Sequence, residues 1–262
     1  MTNEATIEKM KGMKLQGMAQ AFENILRNPS AKFTADEMAA YLVDAEYDDR
    51  YNRKLESLLK NGHFRYQAGM EGLDFGGSRN LDKNLMLRLT NCDWIRKKEN
   101  VILTGATGSG KSYIATALGN QACRQGYKTI YFNCMKLFCR LKIAKAEGSY
   151  EKEIGQIKRQ DLLILDDFGM EILDQYSRMA LFEIIEDRQG EKSTIITSQL
   201  PVKKWFEAIG DPTIADAICD RIVHSAISID LKATDSLRKV YAREGESKNL
   251  GKSKEGSSGK SE

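Results

Sequence analysis

The chain has 262 residues, 41% of them hydrophobic, enough for one large domain or two small ones with a buried core. Its net charge of +3 is close to neutral, so composition neither demands nor excludes a nucleic-acid partner, and local patches must decide. Five cysteines without a C-x-x-C pair, and only two histidines, argue against zinc and against a disulfide framework. No apolar run approaches the length of a membrane span. Glu4 and Glu8 stand where a secretory leader would be apolar, so the expected location is cytoplasmic, with no membrane partner.

Residues 1–70 read as a small helical module. Ile7, Met10, Lys14, Met18, Phe22 and Ile25 fall near one face at helical spacing, up to a break at Asn28-Pro29-Ser30. Thr34 with Glu37 forms a capping-box pattern that opens a second helix. That helix runs to about Asn61, with Gly62 as its C′ residue. The methionine-bearing stripe reads as core or as a partner surface. Tyr51, Arg53, Lys54, Lys60, His63, Phe64, Arg65 and Tyr66 mix basic and aromatic side chains. They read equally as a grip on phosphates and bases or as a solvated helix face interleaved with Glu56. Gly72, Gly76 and Gly77 mark a linker at 71–82.

Val101 to Thr104 is a short buried strand, and Gly105-Ala106-Thr107-Gly108-Ser109-Gly110-Lys111-Ser112 follows it as a full P-loop. The stretch from Tyr113 carries Ile114, Leu118 and Ala122 at helical spacing. The strand–loop–helix context argues against a chance glycine-rich turn. Backbone N–H groups of the loop would cradle phosphate oxygens, with Lys111 on the β- and γ-phosphates and Ser112 on Mg²⁺. Residues Gly105 to Tyr113 are thus the expected ATP-binding set.

Thr129 to Asn133 is a second strand. Leu162-Leu163-Ile164-Leu165 then reads as a strand buried on both faces and ends in Asp166 and Asp167. Asp166 would serve Mg²⁺ opposite Ser112, and Asp167 would orient or deprotonate the attacking water. Ser193 to Ser198 ends at Gln199, an amide that would touch the γ-phosphate, and Ala226 to Leu231 is a fifth strand. Five strands interleaved with helices predict an α/β fold with a five-stranded parallel sheet. Between the second and third strands lie Arg140, Lys142, Lys145, Lys152, Lys158 and Arg159, outnumbering Glu147, Glu151 and Glu153. Arg140, Lys142, Lys145 and Lys152 are the candidate DNA-phosphate contacts. Arg221 and Arg238 are the candidate cations for the charge developing on the γ-phosphoryl group. Residues 243–262, almost without large apolar side chains, are expected to be a disordered tail after a 71–242 ATPase domain.

Taken together, these residues resemble an AAA+ ATPase of the IstB type, the helper of insertion-sequence transposases, related to the DnaC helicase loaders. The resemblance also rests on Asp44-Ala45-Glu46-Tyr47, Leu73-Asp74-Phe75, Asp93-Trp94-Ile95, Thr197-Ser198-Gln199-Leu200-Pro201 and Asp220-Arg221-Ile222-Val223-His224, and it runs from about residue 5 to 242. It implies that Asp166 and Asp167 are the Walker B pair, Gln199 is sensor 1, Arg221 is the arginine finger and Arg238 is sensor 2. It also implies a minimal C-terminal lid. With Asp167 in place of the usual glutamate, slow turnover is expected. The resemblance further implies ATP-dependent self-assembly on duplex DNA without sequence preference, with ATP between subunits, bending of that DNA, and recruitment of a cognate transposase. A DnaC-like replicative helicase loader is the first alternative. A small-molecule kinase, and a nucleotide-gated binder without useful hydrolysis, are the others.

Overall fold

A computed structural model describes residues 2–28, 33–73, 75, 80–224 and 226–232. Arg238, the short lid, the 243–262 tail, the Pro29-Ser30 break and part of the glycine-bearing linker lie outside the described residues. The chain divides into two compact units, Met1–Lys60 and Asn61–Glu262.

The first unit is helical. The apolar stripe from Ile7 to Ile25 predicts one helix, but the structure has two, α1 (Asn3–Gly12) and α2 (Gln16–Arg27). Lys14 turns between them with φ of 61°. The break lets α2 fold against α3 (Ala35–Asn61), where Gly17 lies so close to the Ala45 carbonyl that a Cβ would collide with it. Leu15, at the start of α2, offers no side-chain cap, and Glu46 of α3 fills that role. Its carboxylate accepts from the Met18 N–H at 3.2 Å and from Arg50 Nε at 2.6 Å. The capping box is as the sequence predicts: Thr34 N donates to Glu37 Oε2 at 2.8 Å, and Glu37 N donates to Thr34 Oγ1 at 3.3 Å.

The second unit begins ahead of the expected boundary near residue 70, because residues 61–68 pack with the sheet domain. Tyr131 N donates to Gly62 O at 2.9 Å, and Asn120 Nδ2 donates to Ala68 O at 2.5 Å. Phe64 sits over Gly119, where a Cβ would collide with its ring.

After α4 (Lys83–Thr90) and α5 (Asp93–Arg96) the chain builds a five-stranded, wholly parallel sheet. Its strands are β1 (Asn100–Gly105), β2 (Thr129–Asn133), β3 (Leu162–Phe168), β4 (Ser193–Ser198) and β5 (Ala226–Leu231). They lie in the order β2-β3-β4-β1-β5. All five begin and end within two residues of the predicted runs. The pleat divides β3 between two cores. Leu162 and Ile164 face α6 (Lys111–Arg124), α4 and α5, while Leu163 and Leu165 face the opposite layer. That layer comprises α7 (Cys134–Ala146), α8 (Tyr150–Lys158), α9 (Gln175–Arg188), α10 (Trp205–Ile209) and α11 (Pro212–Val223). Helices on both faces explain why the strands read as unbroken apolar runs. Cys92, Cys123, Cys134 and Cys219 are buried and unpaired, packing as small hydrophobes. No described helix is long and apolar enough to cross a membrane.

The sheet end away from the P-loop is pinned by Arg188, which is 2% exposed. Its guanidinium donates to Thr194 Oγ1 at 3.1 Å and to the carbonyls of Ile157, Gln160 and Ser193. One side chain thus ties α8, α9 and β4 together. Removing it leaves three carbonyls short of donors, so Arg188→Leu should lower stability in urea unfolding by about 3 kcal/mol. Loss of the exposed Lys158–Asp187 ion pair in Lys158→Ala should change it by less than about 1 kcal/mol.

Candidate functional site

The P-loop conformation needs its glycines. Gly105 (φ 143°) ends β1 against the Leu231 carbonyl, which a Cβ would strike, and Gly108 and Gly110 have φ of 82° and 96°. Lys111 opens α6 and is buried, its Nζ turned back onto Gly105 O at 2.7 Å and Ala106 O at 2.8 Å. Burial pulls its pKa below the ordinary lysine value, against the opposing pull of Asp167 and Asp166. The Ser109 hydroxyl is buried in the loop with no hydrogen-bond partner among the described residues. A buried ammonium bonded only to its own loop, beside an orphaned hydroxyl, is a fit for a polyanion that supplies the missing oxygens.

Asp166 is fully buried at the C-terminal end of β3. Its Oδ1 accepts from Ser112 Oγ at 2.8 Å and Thr197 Oγ1 at 2.5 Å, and its Oδ2 accepts from Tyr131 Oη at 2.5 Å. Burial and the bond to Asp166 push the Tyr131 phenol far above its ordinary pKa, so it remains a donor. Asp167 follows a β-bulge. Pairing of β3 with β4 passes from Leu165↔Ile196 to Phe168↔Ser198, one extra residue on β3, and Asp167 has φ of 61°. Its N–H donates to Thr197 Oγ1 at 3.0 Å and its Oδ2 accepts from Asn133 Nδ2 at 3.1 Å. Burial, then the charge of Asp166, raise its pKa above the ordinary carboxylate value.

Gln199 reaches the same place from β4, its Oε1 accepting from Thr107 Oγ1 at 2.7 Å and its Nε2 lying 3.1 Å from Met170 Sδ. Lys111, Ser112, Asp167 and Gln199 line a cavity of about 430 Å³, walled by Tyr66, Leu73, Leu81, Tyr113 and Ile114, with Asp166 buried behind Ser112. The structure therefore brings Lys111, Ser112, Asp166, Asp167 and Gln199 to one site. Among the described residues no group of three or more His, Cys, Asp or Glu could hold a metal alone. A single carboxylate with a serine instead suits a hard cation that takes its other ligands from phosphates and water.

Arg221 stands apart from this cavity. It is held on α11 by Glu186 Oε2 at 2.6 Å and the Ala217 carbonyl at 2.8 Å, over the Phe182 ring, with its Nε buried and without a partner among the described residues. Of the candidate DNA contacts, Arg140 pairs with Glu153 at 2.7 Å, Lys142 pairs with Asp174, and Lys145 lies 4.2 Å from the Tyr176 ring centroid. Lys152 is exposed on α8. Around residues 51–66, Arg53 pairs with Asp49 and Glu46, Phe64 packs on α6, and Arg65 lies near Asp166 and Asp167. Sequence reasoning missed Arg65, Tyr131, Asn133 and Thr197 at the site. The last three sit at or near the C-terminal ends of strands flanking β3, a position that could have marked them.

Residues 8–245 match the family described as IstB-like ATP binding protein. A relative from Sinorhizobium fredii, described as an insertion sequence ATP-binding protein, is 43% identical over 239 residues, covering 91% of this chain and 97% of its own. The ATP-binding protein described for insertion sequence IS1162 of Pseudomonas fluorescens is 41% identical over 203 residues, covering 77% and 88%. Among solved structures, DnaI is similar with a TM-score of 0.55 at 20% identity, over 67% of this chain and 93% of that one. The AMPPCP-bound DnaA from Aquifex aeolicus is similar with a TM-score of 0.56 at 19% identity, over 67% and 53%. These two likenesses speak to the fold alone, a P-loop domain on a parallel sheet. The family match spans nearly the whole chain and agrees with the P-loop and paired acids of the site: this chain belongs to the IstB-like ATP-binding protein family.

Proposed function

We propose that this chain is an ATP-hydrolysing transposition helper that assembles on duplex DNA, bends it and recruits its cognate transposase. The observation that carries the ATPase half is the convergence of Lys111, Ser112, Asp167 and Gln199 on one cavity, with Asp166 bonded to Ser112 behind it. Lys111 would neutralise the β- and γ-phosphates, and Asp167 would take the proton of the attacking water as ADP and phosphate form. Mg²⁺, held by Ser112 and Asp166, would supply the remaining charge on the phosphates. Asp167 is short, set at φ 61° and held by Asn133, which supports slow turnover in an isolated subunit.

Two observations support assembly. Arg221 has no place in its own subunit's cavity, so in the finger role it would serve the nucleotide of a second copy. Arg140, Lys142 and Lys145 lie on one helix, α7, with Lys152 on the next, and would contact DNA phosphates by exchanging their present carboxylate and ring partners. Bending the duplex costs several kcal/mol, which many such contacts in a multimer can offset. The insertion-sequence relatives favour the transposition helper over the helicase loader.

Light scattering with a slowly hydrolysed ATP analogue tests the assembly. Large particles should form on duplex and not on single strands of equal length. Particles on single strands alone would move the assignment to the loader. Arg221→Ala should keep ATP binding but lose turnover by about 10³-fold on assembled protein. Normal turnover would remove Arg221 from the finger role. Asp167→Asn should lower turnover by about 100-fold. An unchanged rate would leave a nucleotide-gated binder without useful hydrolysis.

A further inference from the structure

The charge around the two Walker acids points to Arg65. This residue follows α3 through a turn at His63 (φ 50°). The Gly62–Tyr131 backbone bond and the packing of Phe64 on Gly119 bring it over the C-terminal end of β3. Its Nη1 lies 3.8 Å from Asp166 Oδ2 and 3.6 Å from Asp167 Oδ2. Those separations exceed direct hydrogen-bond lengths, so the acids act on the guanidinium through charge, while Tyr131 and the Tyr66 ring, its centroid 5.2 Å from the guanidinium carbon, are its other neighbours. Two adjacent carboxylates, one without solvent exposure, require a nearby cation. Lys111 acts on the acids from a distance while bonded to its own loop carbonyls, and Arg65 is the cation that lies within 3.8 Å of both.

The Arg65 side chain is 41% exposed and has space on both sides. It lines the nucleotide cavity, and it also lines a second groove of about 500 Å³ with His63, Phe132, Lys136 and Arg140. A divalent cation arriving at Asp166 would supply more charge than Arg65 does and would repel it. The phosphates that come with the cation would offer new acceptors within the cavity that Arg65 already lines.

We propose that Arg65 is a displaceable counter-cation of the Asp166–Asp167 pair, one that moves to the phosphates when the nucleotide is loaded. Arg65 is then a positioning residue that lets nucleotide approach two carboxylates before metal is bound. The inference rests on the ATP reading above.

The test is the affinity of the full chain for a fluorescent ADP, its N-methylanthraniloyl derivative, in EDTA and in Mg²⁺. The quantity read is the ratio of the two dissociation constants. Arg65→Gln should raise that ratio about tenfold, because phosphates then meet unshielded carboxylates unless metal is present. Arg65→Lys, which keeps the charge, should stay within about twofold of the unaltered chain. In an Asp167→Asn background, with one carboxylate removed, Arg65→Gln should move the ratio by less than about twofold. Equal loss of affinity in both buffers on Arg65→Gln would make Arg65 merely structural and overturn the proposal, as would an equal rise in Arg65→Lys. No binding by the unaltered chain in either buffer would overturn the ATP reading itself, and this inference with it.

Discussion

A carboxylate buried without any solvent contact must be given donors by the protein, and that requirement organises this domain around Asp166. Its acceptor sites are filled by three hydroxyls from three different elements: Ser112 on α6, Thr197 on β4 and Tyr131 on β2. The strand order makes this possible. β3 lies between β2 and β4, so each neighbour can present a side chain at the same level as Asp166. α6 packs across the sheet from the P-loop, and its first turn places Ser112 over the same carboxylate. Fixing one charge therefore fixes the register of three strands against one helix. Each hydroxyl is itself anchored in an element buried in the core, so the donors are preorganised rather than recruited.

Adjacent residues of a regular strand point to opposite faces, which would send Asp166 and Asp167 to different layers of the molecule. The bulge between Leu165 and Phe168 removes that obstacle. One extra residue and a left-handed backbone at Asp167 turn the second acid to the sheet edge that the cavity opens on. A non-glycine residue in that region costs about 1 kcal/mol. Thr197 and Asn133 stabilise it, the first through the Asp167 backbone and the second through its carboxylate. Thr197 thus contacts both acids, donating to one and accepting from the other. The two aspartates differ in burial and partners because of this local geometry, and chemically identical side chains can then hold different roles.

The central strands β1, β3 and β4 were legible because they are buried on both faces, leaving runs such as Leu162 to Leu165 that carry no competing signal. The capping box at Thr34 and Glu37 was legible for the same reason: it is a contact over three residues, within reach of local pattern. The α1–α2 break was not, because the apolar stripe continues through Lys14 and only the packing of Gly17 on α3 decides where the chain turns. Arg65 and Arg53 belong to one basic run in the sequence, yet one reaches the Walker acids and the other pairs with Asp49 and Glu46 on its own helix. Arg221 and Lys142 were likewise legible as cations, while their clasps to Glu186 and Asp174 join elements far apart in the chain. Residue type announces a charge; the partner that restrains it is set by tertiary structure.

Three groups with roles in the proposed reaction share that condition. Lys111 is bonded to its own loop, Asp167 to Asn133, and Arg221 to Glu186. Under the proposed function each must change partner, Lys111 and Asp167 when nucleotide arrives and Arg221 when a second subunit does. Exchanging one charged hydrogen bond for another has a small net free-energy change, whereas leaving such a group unpaired in a buried place would cost several kcal/mol. The resting partners therefore do more than stabilise the isolated subunit. They keep each ionic group solvated by protein until its functional partner appears, so the active arrangement can form by substitution. Under the proposed function an isolated subunit would be stable and slow for the same reason.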